Sequence, residues 1–289
     1  MMLRAKDATP WKTVLGIIKA ETTDIHDTPI KFKEESIDIF FKVYREDLCI
    51  GHKISIDPTS LQEYGLAEEE YVLSVPMGDL HSKVKKVEGK QGFILYTVMS
   101  EDDKSLYFKH VTSSGDKDDV HARGDVHAIR TNECRNVNDI VTGMDIPDLI
   151  GNVKEFRSYM SNIPEGKSTF EFHAYIHGMI IAAKDVCGTI TYLASIGFED
   201  DYRRDTFKGR KDMLADEELK EFHQVTISLP SSKAKMFMSI ASLAPRLSNA
   251  TLPSQCKFRF IPDHEIIAVE FPISTIGTYT LTLKHNQSE

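Results

Sequence analysis

Eight lysine and arginine side chains recur along four short, helix-like stretches of the sequence. The stretches are residues 9–20, 77–90, 173–186 and 239–249, and their cations are Lys12, Lys19, Lys83, Lys85, Lys86, Lys90, Lys184 and Arg246. Only Asp79, Glu88 and Asp185 are acidic there, so the four stretches carry a net charge of +5. Lysine point charges on one surface can contact DNA phosphates without reading bases. These eight cations are therefore the candidate DNA-binding residues.

The rest of the chain has the opposite charge. The protein contains 35 Lys and Arg against 44 Asp and Glu, a formal net charge of −9, which leaves −14 outside the four stretches. An acidic protein would ordinarily repel a polyanion, but here the positive charge is segregated onto predicted helices. For any one helix, a merely solvated lysine face remains the alternative interpretation.

Patterns that would indicate an enzyme or a metal site are incomplete. Residues 164–168 (PEGKS) resemble the end of a phosphate-binding loop, but Ser161 stands where that motif requires its first glycine. His173 and His177 have the spacing of metal ligands, yet no glutamate follows the first histidine and no third ligand is evident. No G-x-S-x-G motif is present. The sequence therefore predicts a non-enzymatic protein that needs no metal or cofactor.

Cysteines and apolar runs restrict the cellular setting. The longest strongly apolar run, Gly178–Ala183, is far shorter than the ~20 residues of a membrane helix. Residues 1–11 lack a signal-peptide core. No C-x-x-C pair occurs among the four cysteines, which are Cys49, Cys134, Cys187 and Cys256. We expect an intracellular protein with reduced thiols and no membrane partner.

The candidate cations must be positioned by helices, and apolar spacing predicts four of them. They cover Thr9–Ala20, Gly78–Val87, Ala174–Val186 and Ser239–Asn249. The first has Thr9 as a possible N-cap and Pro10 at the first helical position. Pro245 interrupts the fourth.

Strand-like stretches fill most of the remaining sequence. They begin near Ile30, Ser36, His52, Tyr71, Gly92, Ser105, Asp125, Ser168, Thr189, Gln224, Lys235, Lys257, Ile266 and Thr278. Many short antiparallel strands with few helices predict an α+β protein.

The spacing of the predicted helices indicates an internal repeat. The first two start 69 residues apart and the last two 65 apart, which favours one helix–sheet–helix–sheet unit used twice. We expect an N-terminal domain at 1–130, a connector at 131–167 with a short helix near residues 148–160, and a C-terminal domain at 168–289. The charged segment 199–221 has little apolar surface and is predicted to be a solvated loop.

Several stretches resemble the sliding-clamp family of the proliferating-cell-nuclear-antigen type. VLSVPMGDLHSKVKKVEGKQGFILYTVMSEDDKSLYF resembles the clamp's strand, second helix and following hairpin. TVLGIIKAE resembles the first helix, IPEGKSTFEFHAY the end of the connector and the next strand, and VEFPISTIGTYTLTL the closing strands. Family positions for basic, DNA-facing residues are occupied by Lys19, Lys83, Lys86 and, in AKDV, Lys184. These stretches follow the family's order over most of the chain.

The resemblance implies a fold and a function. The fold would be a two-domain sliding clamp, with antiparallel sheets and helices lining a central hole. Three copies would close into a ring around duplex DNA and tether a DNA polymerase, raising its processivity. A clamp loader, nucleases and ligases would bind through short peptides, in a pocket whose candidate residues are Ile163, Pro164, Ile266 and Leu283. The protein would act in the nucleus or at a viral replication site.

Departures from the family pattern keep other interpretations open. The connector is longer than usual, and Lys284 and His285 stand where clamps commonly have alanine and proline. One alternative is an open monomeric or dimeric processivity factor of the herpesvirus kind, which would bind DNA directly. Another is one subunit of a heterotrimeric checkpoint clamp. An α+β binding protein with no DNA role is the third.

Overall fold

The structure is a computed structural model that describes most of the chain. The described residues are 1–21, 28–45, 48–88, 91–97, 105–111, 127–130, 146–166, 168–176, 178–198, 214, 217–244 and 254–285. None of the described helices is long and apolar enough to cross a membrane. The chain divides into two compact units, one comprising Met1–Val43, His52–Asp139 and Ile273–Thr278, the other Tyr44–Gly51, Ile140–Pro272 and Tyr279–Glu289. The expected domain boundaries at residues 130 and 167 stay a prediction.

The first half of the chain contains two helices and nine strands within the described residues. In order they are β1 (Met2–Ala5), α1 (Thr9–Glu21), β2 (Thr28–Lys33), β3 (Ile37–Arg45), β4 (Leu48–Ile56), β5 (Glu63–Gly65), β6 (Glu70–Val75), α2 (Met77–Lys85), β7 (Gly92–Thr97), β8 (Ser105–Val111) and β9 (His127–Arg130). One sheet has the order β5-β1-β7-β8-β9, and in a second run β4, β3, β2 and β6 are neighbours.

The second half has the same kinds of element. In order they are β10 (Leu149–Asn152), α3 (Val153–Ser161), β11 (Thr169–Tyr175), β12 (Gly178–Lys184), β13 (Ile190–Gly197), α4 (Glu217–Lys220), β14 (His223–Pro230), α5 (Ala234–Ala241), β15 (Gln255–Ile261), β16 (Ile266–Ile273) and β17 (Gly277–His285). Neighbouring strands are β10-β15-β16-β17 in one run and β13-β12-β11-β14 in the other. Short 3-10 turns occur at Pro58–Ser60, Ser231–Lys233 and Pro262–His264.

The two halves repeat one topology. The run β1-β7-β8-β9 corresponds to β10-β15-β16-β17, and β4-β3-β2-β6 corresponds to β13-β12-β11-β14. Each half places one helix after its first strand and a second helix before its last three strands. The predicted repeat is therefore present, although the first helix of its second copy is α3, which the sequence placed in the connector, and not the helix predicted at Ala174–Val186.

The predicted third helix, Ala174–Val186, is wrong. Residues 174–175 end β11, and the apolar run that follows is β12, which pairs with β11 from Thr169↔Lys184 to Tyr175↔Gly178. All residues of β12 except Lys184 are buried. A strand covered on both faces is continuously apolar, so periodicity alone cannot distinguish it from a buried helix.

The predicted fourth helix, Ser239–Asn249, is placed too late, and the strand predicted from Lys235 is wrong. The helix is α5, which begins at Ala234 and ends at Ala241. Its buried residues include Met236, Phe237 and Ile240, which recur at helical spacing. The five residues KMFMS are too few to distinguish a helix from a strand by their pattern alone. Residues 245–249 lie outside the described part of the chain. The short helix expected near residues 148–160 is confirmed as α3.

Aromatic side chains fix the helices to the sheets within each unit. Trp11 of α1 meets Phe93 of β7 edge to face, with ring centroids 5.5 Å apart. On α3, Phe156 lies 5.9 Å from Phe237 of α5 and 5.3 Å from Phe271 of β16. Phe93, Phe156, Phe237 and Phe271 are all fully buried. Such offset and edge contacts add about 0.5–1.5 kcal/mol per pair to the burial of the rings.

Part of the charged segment 199–221 packs against the protein. Residues 199–213 and 215–216 lie outside the described part. Leu219 of α4 is 3 % exposed and packs with Tyr175, Ile180 and Phe198. The end of the segment is thus anchored by apolar contacts, which its charged composition had concealed.

Candidate nucleic-acid interface

Helix α1 presents one apolar face and one polar face. Its start is fixed by Asp7, whose Oδ1 accepts a hydrogen bond from the backbone N–H of Thr9 at 2.7 Å. The buried residues Trp11, Val14, Leu15, Ile17 and Ile18 hold the helix against the core. Lys19, in the last turn, is exposed. A cation is stabilised at this end by the helix dipole.

Helix α2 packs against α1, and three of the eight candidate cations lie at its C-terminal end. Met77, Leu80 and Val84 are buried, and Lys83 and Lys85 occupy the last turn. Lys86 is the C-cap residue, with its backbone N–H directed to the carbonyls of Lys83 and Val84. Lys85 and Lys86 are exposed, whereas Lys83 is half-buried. The C-terminal end of α2 therefore projects three cations within four residues.

Lys12 serves a structural purpose as well. Its Nζ donates to the backbone carbonyl of Val87, just beyond the end of α2. This hydrogen bond satisfies a helix-terminal carbonyl and ties α1 to α2. Lys12 is therefore only partly available to a phosphate.

His81 lies between two of the lysines. A Cβ placed on Gly16 of α1 would be 3.6 Å from its Nε2, so the ring occupies the seam between the helices. The pKa of His81 is lowered, first by partial burial and then by the positive charges of Lys19 and Lys85. The ring is consequently neutral at neutral pH.

The lysines of this surface, Lys19, Lys83, Lys85 and Lys86, have no carboxylate partner in the described part of the chain, as is also true of Lys33 and Lys154. Elsewhere, ion pairs join Arg4 to Glu63, Lys31 to Glu70, Lys184 to Glu171, Lys220 to Glu217, Lys235 to Glu165 and Lys257 to Glu270. Charges without a partner keep their full attraction for an external anion. We name Lys19, Lys83, Lys85 and Lys86 the α1–α2 basic surface.

A second helix pair exposes cations that sequence reasoning missed. Helices α3 and α5 pack together as α1 and α2 do. The exposed positions of α3 include Lys154 and Arg157, and Lys235 of α5 is exposed beside Glu165, 3.1 Å away. The sequence predicts α3 as part of the connector, and its N-cap is Asn152, which accepts a hydrogen bond from the backbone N–H of Lys154 at 2.9 Å.

Among the remaining predicted cations, Lys184 is the one within the described residues, and it does not lie on a helix. Lys184 lies at the end of strand β12, and its Nζ is 2.7 Å from Oε2 of Glu171. Because Glu171 neutralises it, the argument from an unpaired helical cation no longer applies to Lys184. Lys90 and Arg246 lie outside the described residues.

Glu171 is the acceptor of a hydrogen-bonded network on β11, β12 and β14. His173 Nε2 lies 2.8 Å from Glu171 Oε2, and His173 Nδ1 lies 3.0 Å from Thr226 Oγ1. His223 Nε2 lies 2.7 Å from the same hydroxyl. The hydrogen bond from His173, followed by that from Lys184, lowers the pKa of Glu171 to about 2 despite its partial burial. The carboxylate is therefore charged at any physiological pH.

This network has the connectivity of a nucleophile–base–acid triad, but it lacks the free hydroxyl that a catalytic triad presents to its substrate. The Thr226 hydroxyl already contacts two imidazoles, so it is not free to attack a substrate. Within the described part of the chain, no group of three His, Cys, Asp or Glu side chains has metal-site geometry. His177 lies outside that part.

The candidate peptide-pocket residues differ widely in exposure. Leu283 of β17 is 0 % exposed and Ile163 is 5 % exposed. Pro164 is exposed, and Ile266, at the start of β16, is half-buried. Leu283 is thus a core residue, and among the four only Pro164 and Ile266 present substantial surface.

Three of the four cysteines lie within the described residues. Cys49 and Cys256 are buried, and Cys187 is exposed. Burial raises the pKa of the Cys256 thiol to about 12, so this thiol is uncharged and unreactive. Cys134 lies outside the described residues.

Comparison with solved structures identifies the fold. A chain of the PCNA2–PCNA3 complex from Sulfolobus tokodaii superposes with a TM-score of 0.64 at 11% sequence identity, covering 99% of both chains. The Proliferating Cellular Nuclear Antigen from Entamoeba histolytica superposes with a TM-score of 0.62 at 13% identity, covering 99% of this chain and 98% of that one. No family model and no curated protein matches the sequence. The twofold β-α topology and these end-to-end superpositions together show that the chain has the two-domain α+β fold of the sliding clamps.

Proposed function

We propose that this protein is a DNA sliding clamp, a non-enzymatic ring that encircles duplex DNA and tethers a DNA polymerase to it. The observation that carries the proposal is the α1–α2 basic surface, whose four lysines have no acidic partner within the described residues. On an acidic protein of this fold, a cationic helix pair is the surface suited to a polyanion.

The chemistry of the helix surfaces fits phosphate contact without base recognition. The exposed positions of α2 before its lysines are Gly78, Asp79 and Ser82, and those of α3 include Ser158. Gly78, Ser82 and Ser158 allow a DNA backbone and its water to approach closely and read no base sequence, whereas Asp79 is an acidic side chain exposed in the first turn of α2. On the second helix pair, Lys154 and Arg157 are exposed cations suited to the same kind of contact.

Ring closure would use the open edge of β13. This eight-residue strand ends its sheet and contains no charged residue and no proline. Natural proteins usually protect such an edge, because it otherwise pairs with other chains. We propose that β13 of one copy pairs with β9, the end strand of the first half's sheet, in the next copy. Three such head-to-tail contacts would close a homotrimer.

Partner proteins would bind beside the carboxyl-terminal strands. Pro164 and Ile266 offer the exposed part of the proposed pocket, with Ile163 and Leu283 beneath as support. A clamp loader, DNA polymerase, nucleases and ligases would use this pocket through short peptides. The protein would then act where DNA is replicated, in a nucleus or at a viral replication site.

A heteromeric ring is the second candidate. One of the similar structures is a complex of two different chains, PCNA2 and PCNA3. In that case β13 would pair with the equivalent of β9 in a different protein, and copies of this chain alone would not close a ring. An open factor would also have only the mass of a monomer or dimer, but it would bind DNA measurably without being loaded onto it.

Solution mass tests the proposal. Light scattering after size exclusion, over a range of protein concentrations, should give about three times the 32.7 kDa of one chain. A linear duplex blocked at both ends should then retain the loaded ring, whereas an unblocked duplex should release it. A monomer at every concentration, with no retention on blocked DNA, would contradict the homotrimeric clamp.

A further inference from the structure

His81 occupies a site built by both helices of the basic surface. The ring lies against α1 at Gly16, where an added Cβ would be 3.6 Å from Nε2, an ordinary van der Waals distance. Its Nδ1 is buried and has no hydrogen-bond partner within the described residues. The side chain as a whole is half-buried. The imidazole is thus held in the seam, with one nitrogen enclosed.

Two ammonium groups flank this imidazole. Lys85 follows His81 by four residues on α2, and Lys19 follows Gly16 by three on α1, so each lies one helical turn from the contact. Both lysines lower the pKa of His81, after the larger effect of burial, and no acidic group acts on it. The other charged residues of the two helices are Lys12, Glu21, Asp79 and Lys83, with Lys86 at the cap.

The free protein therefore keeps His81 neutral. A second proton would place an imidazolium beside two ammonium groups and would leave one N–H without an acceptor at the enclosed nitrogen. A phosphate near Lys19 and Lys85 removes the repulsion between an imidazolium and the two ammonium groups, because its negative charge offsets both of them. Its oxygens also accept a hydrogen bond from an imidazole N–H.

We propose that His81 is a further DNA-contacting residue, and that it takes up a proton when a DNA phosphate occupies the surface between Lys19 and Lys85. This inference rests on the proposed function and adds regulation to the same surface. Because DNA prefers the protonated form, affinity rises as the pH falls from neutrality. Each unit by which DNA raises the pKa of His81 gives about a tenfold gain in affinity at low pH.

Binding of a fluorescent duplex at fixed ionic strength, between about pH 5.5 and 8, measures this linkage. We expect log affinity to rise with falling pH in the wild type and to be nearly flat in His81→Gln, which retains a polar side chain that does not titrate. His264→Gln, which removes an exposed histidine from the 3-10 turn Pro262–His264, is the matched control and should behave as wild type.

Titration of the His81 imidazole by NMR gives a readout that does not depend on a variant folding. Its pKa should rise on addition of DNA. An unchanged pKa, or a His81→Gln variant with the wild-type pH slope, would overturn the inference while salt-sensitive DNA binding left the proposed function standing. Absence of DNA binding by the wild type at every pH and ionic strength, together with no retention on a duplex blocked at both ends, would instead reject the proposed function, and the inference with it.

Discussion

Charge reversal of Lys83 and Lys86 should weaken DNA binding in a way that salt reveals. Each lysine that neutralises a phosphate releases counterions and contributes about 0.9 to the slope of log affinity against log salt. Losing two contacts removes about 1.8 from that slope. Between about 50 and 200 mM salt, the affinity ratio of wild type to Lys83→Glu/Lys86→Glu should therefore shrink about twelvefold.

The same double variant should remain folded. Both positions lie at the carboxyl-terminal end of α2, where replacing a cation with an anion costs about 0.3–1 kcal/mol each through the helix dipole. Neither lysine has an acidic partner within the described residues, so no ion pair is broken. Circular dichroism should show a small fall in melting temperature, and light scattering an unchanged mass.

Fluorescence anisotropy with a short labelled duplex, at several salt concentrations, measures the effect. Lys33→Glu/Lys220→Glu makes the same change in net charge on β2 and α4, so it separates local contact from overall charge. We expect the control to keep the wild-type salt slope. Equal slopes for wild type and Lys83→Glu/Lys86→Glu would refute the assignment of the DNA surface to the end of α2.

Three further predictions concern stability. The lowered pKa of Glu171 stabilises the fold fully above the ordinary value of 4.5, and this stabilisation is lost as the pH falls towards about 2. Urea unfolding should therefore show Glu171→Gln to be less stable than wild type at pH 6 and equally stable at the acid limit. A difference that persists at low pH would contradict this assignment. Phe237→Ala should cost about 3–5 kcal/mol of unfolding free energy, whereas Phe222→Ala, at a side chain 39 % exposed, should cost much less; similar losses would show that the aromatic cluster is not the core. Gly277→Ala should lower the melting temperature strongly, because φ at this residue is +157° and the new Cβ would lie 2.0 Å from a carbonyl oxygen of β4. The control Gly78→Ala has open space around it and should be neutral or stabilising. An unchanged melting temperature for Gly277→Ala would refute the close approach of residue 277 to β4.

The sequence was sufficient where local pattern and burial agree. Helices α1 and α2 have apolar residues at helical spacing on one face only, and both are found where that spacing predicts them. Most strands follow from alternation, and β16 has the predicted start. The α+β class, the internal repeat and the basic end of α2 are properties of such local patterns.

Local pattern failed where the tertiary structure decides burial. The run Gly178–Ala183 is apolar on both faces, and only its pairing with β11 makes it a strand. Helix α3 was predicted only as part of the connector, and its packing against α5 could not be inferred from its own residues. Lys154 and Arg157 were missed for that reason.

Charge segregation along the chain was determined by the sequence, and it indicated a polyanion as partner. Which cations are available to that partner was decided only by the fold. Antiparallel register brings Lys184 to Glu171, and helix packing directs Lys12 to the carbonyl of Val87. The seam that holds His81 likewise requires two helices far apart in sequence. Contacts of this kind depend on distances in space, which residue types and their spacing do not contain.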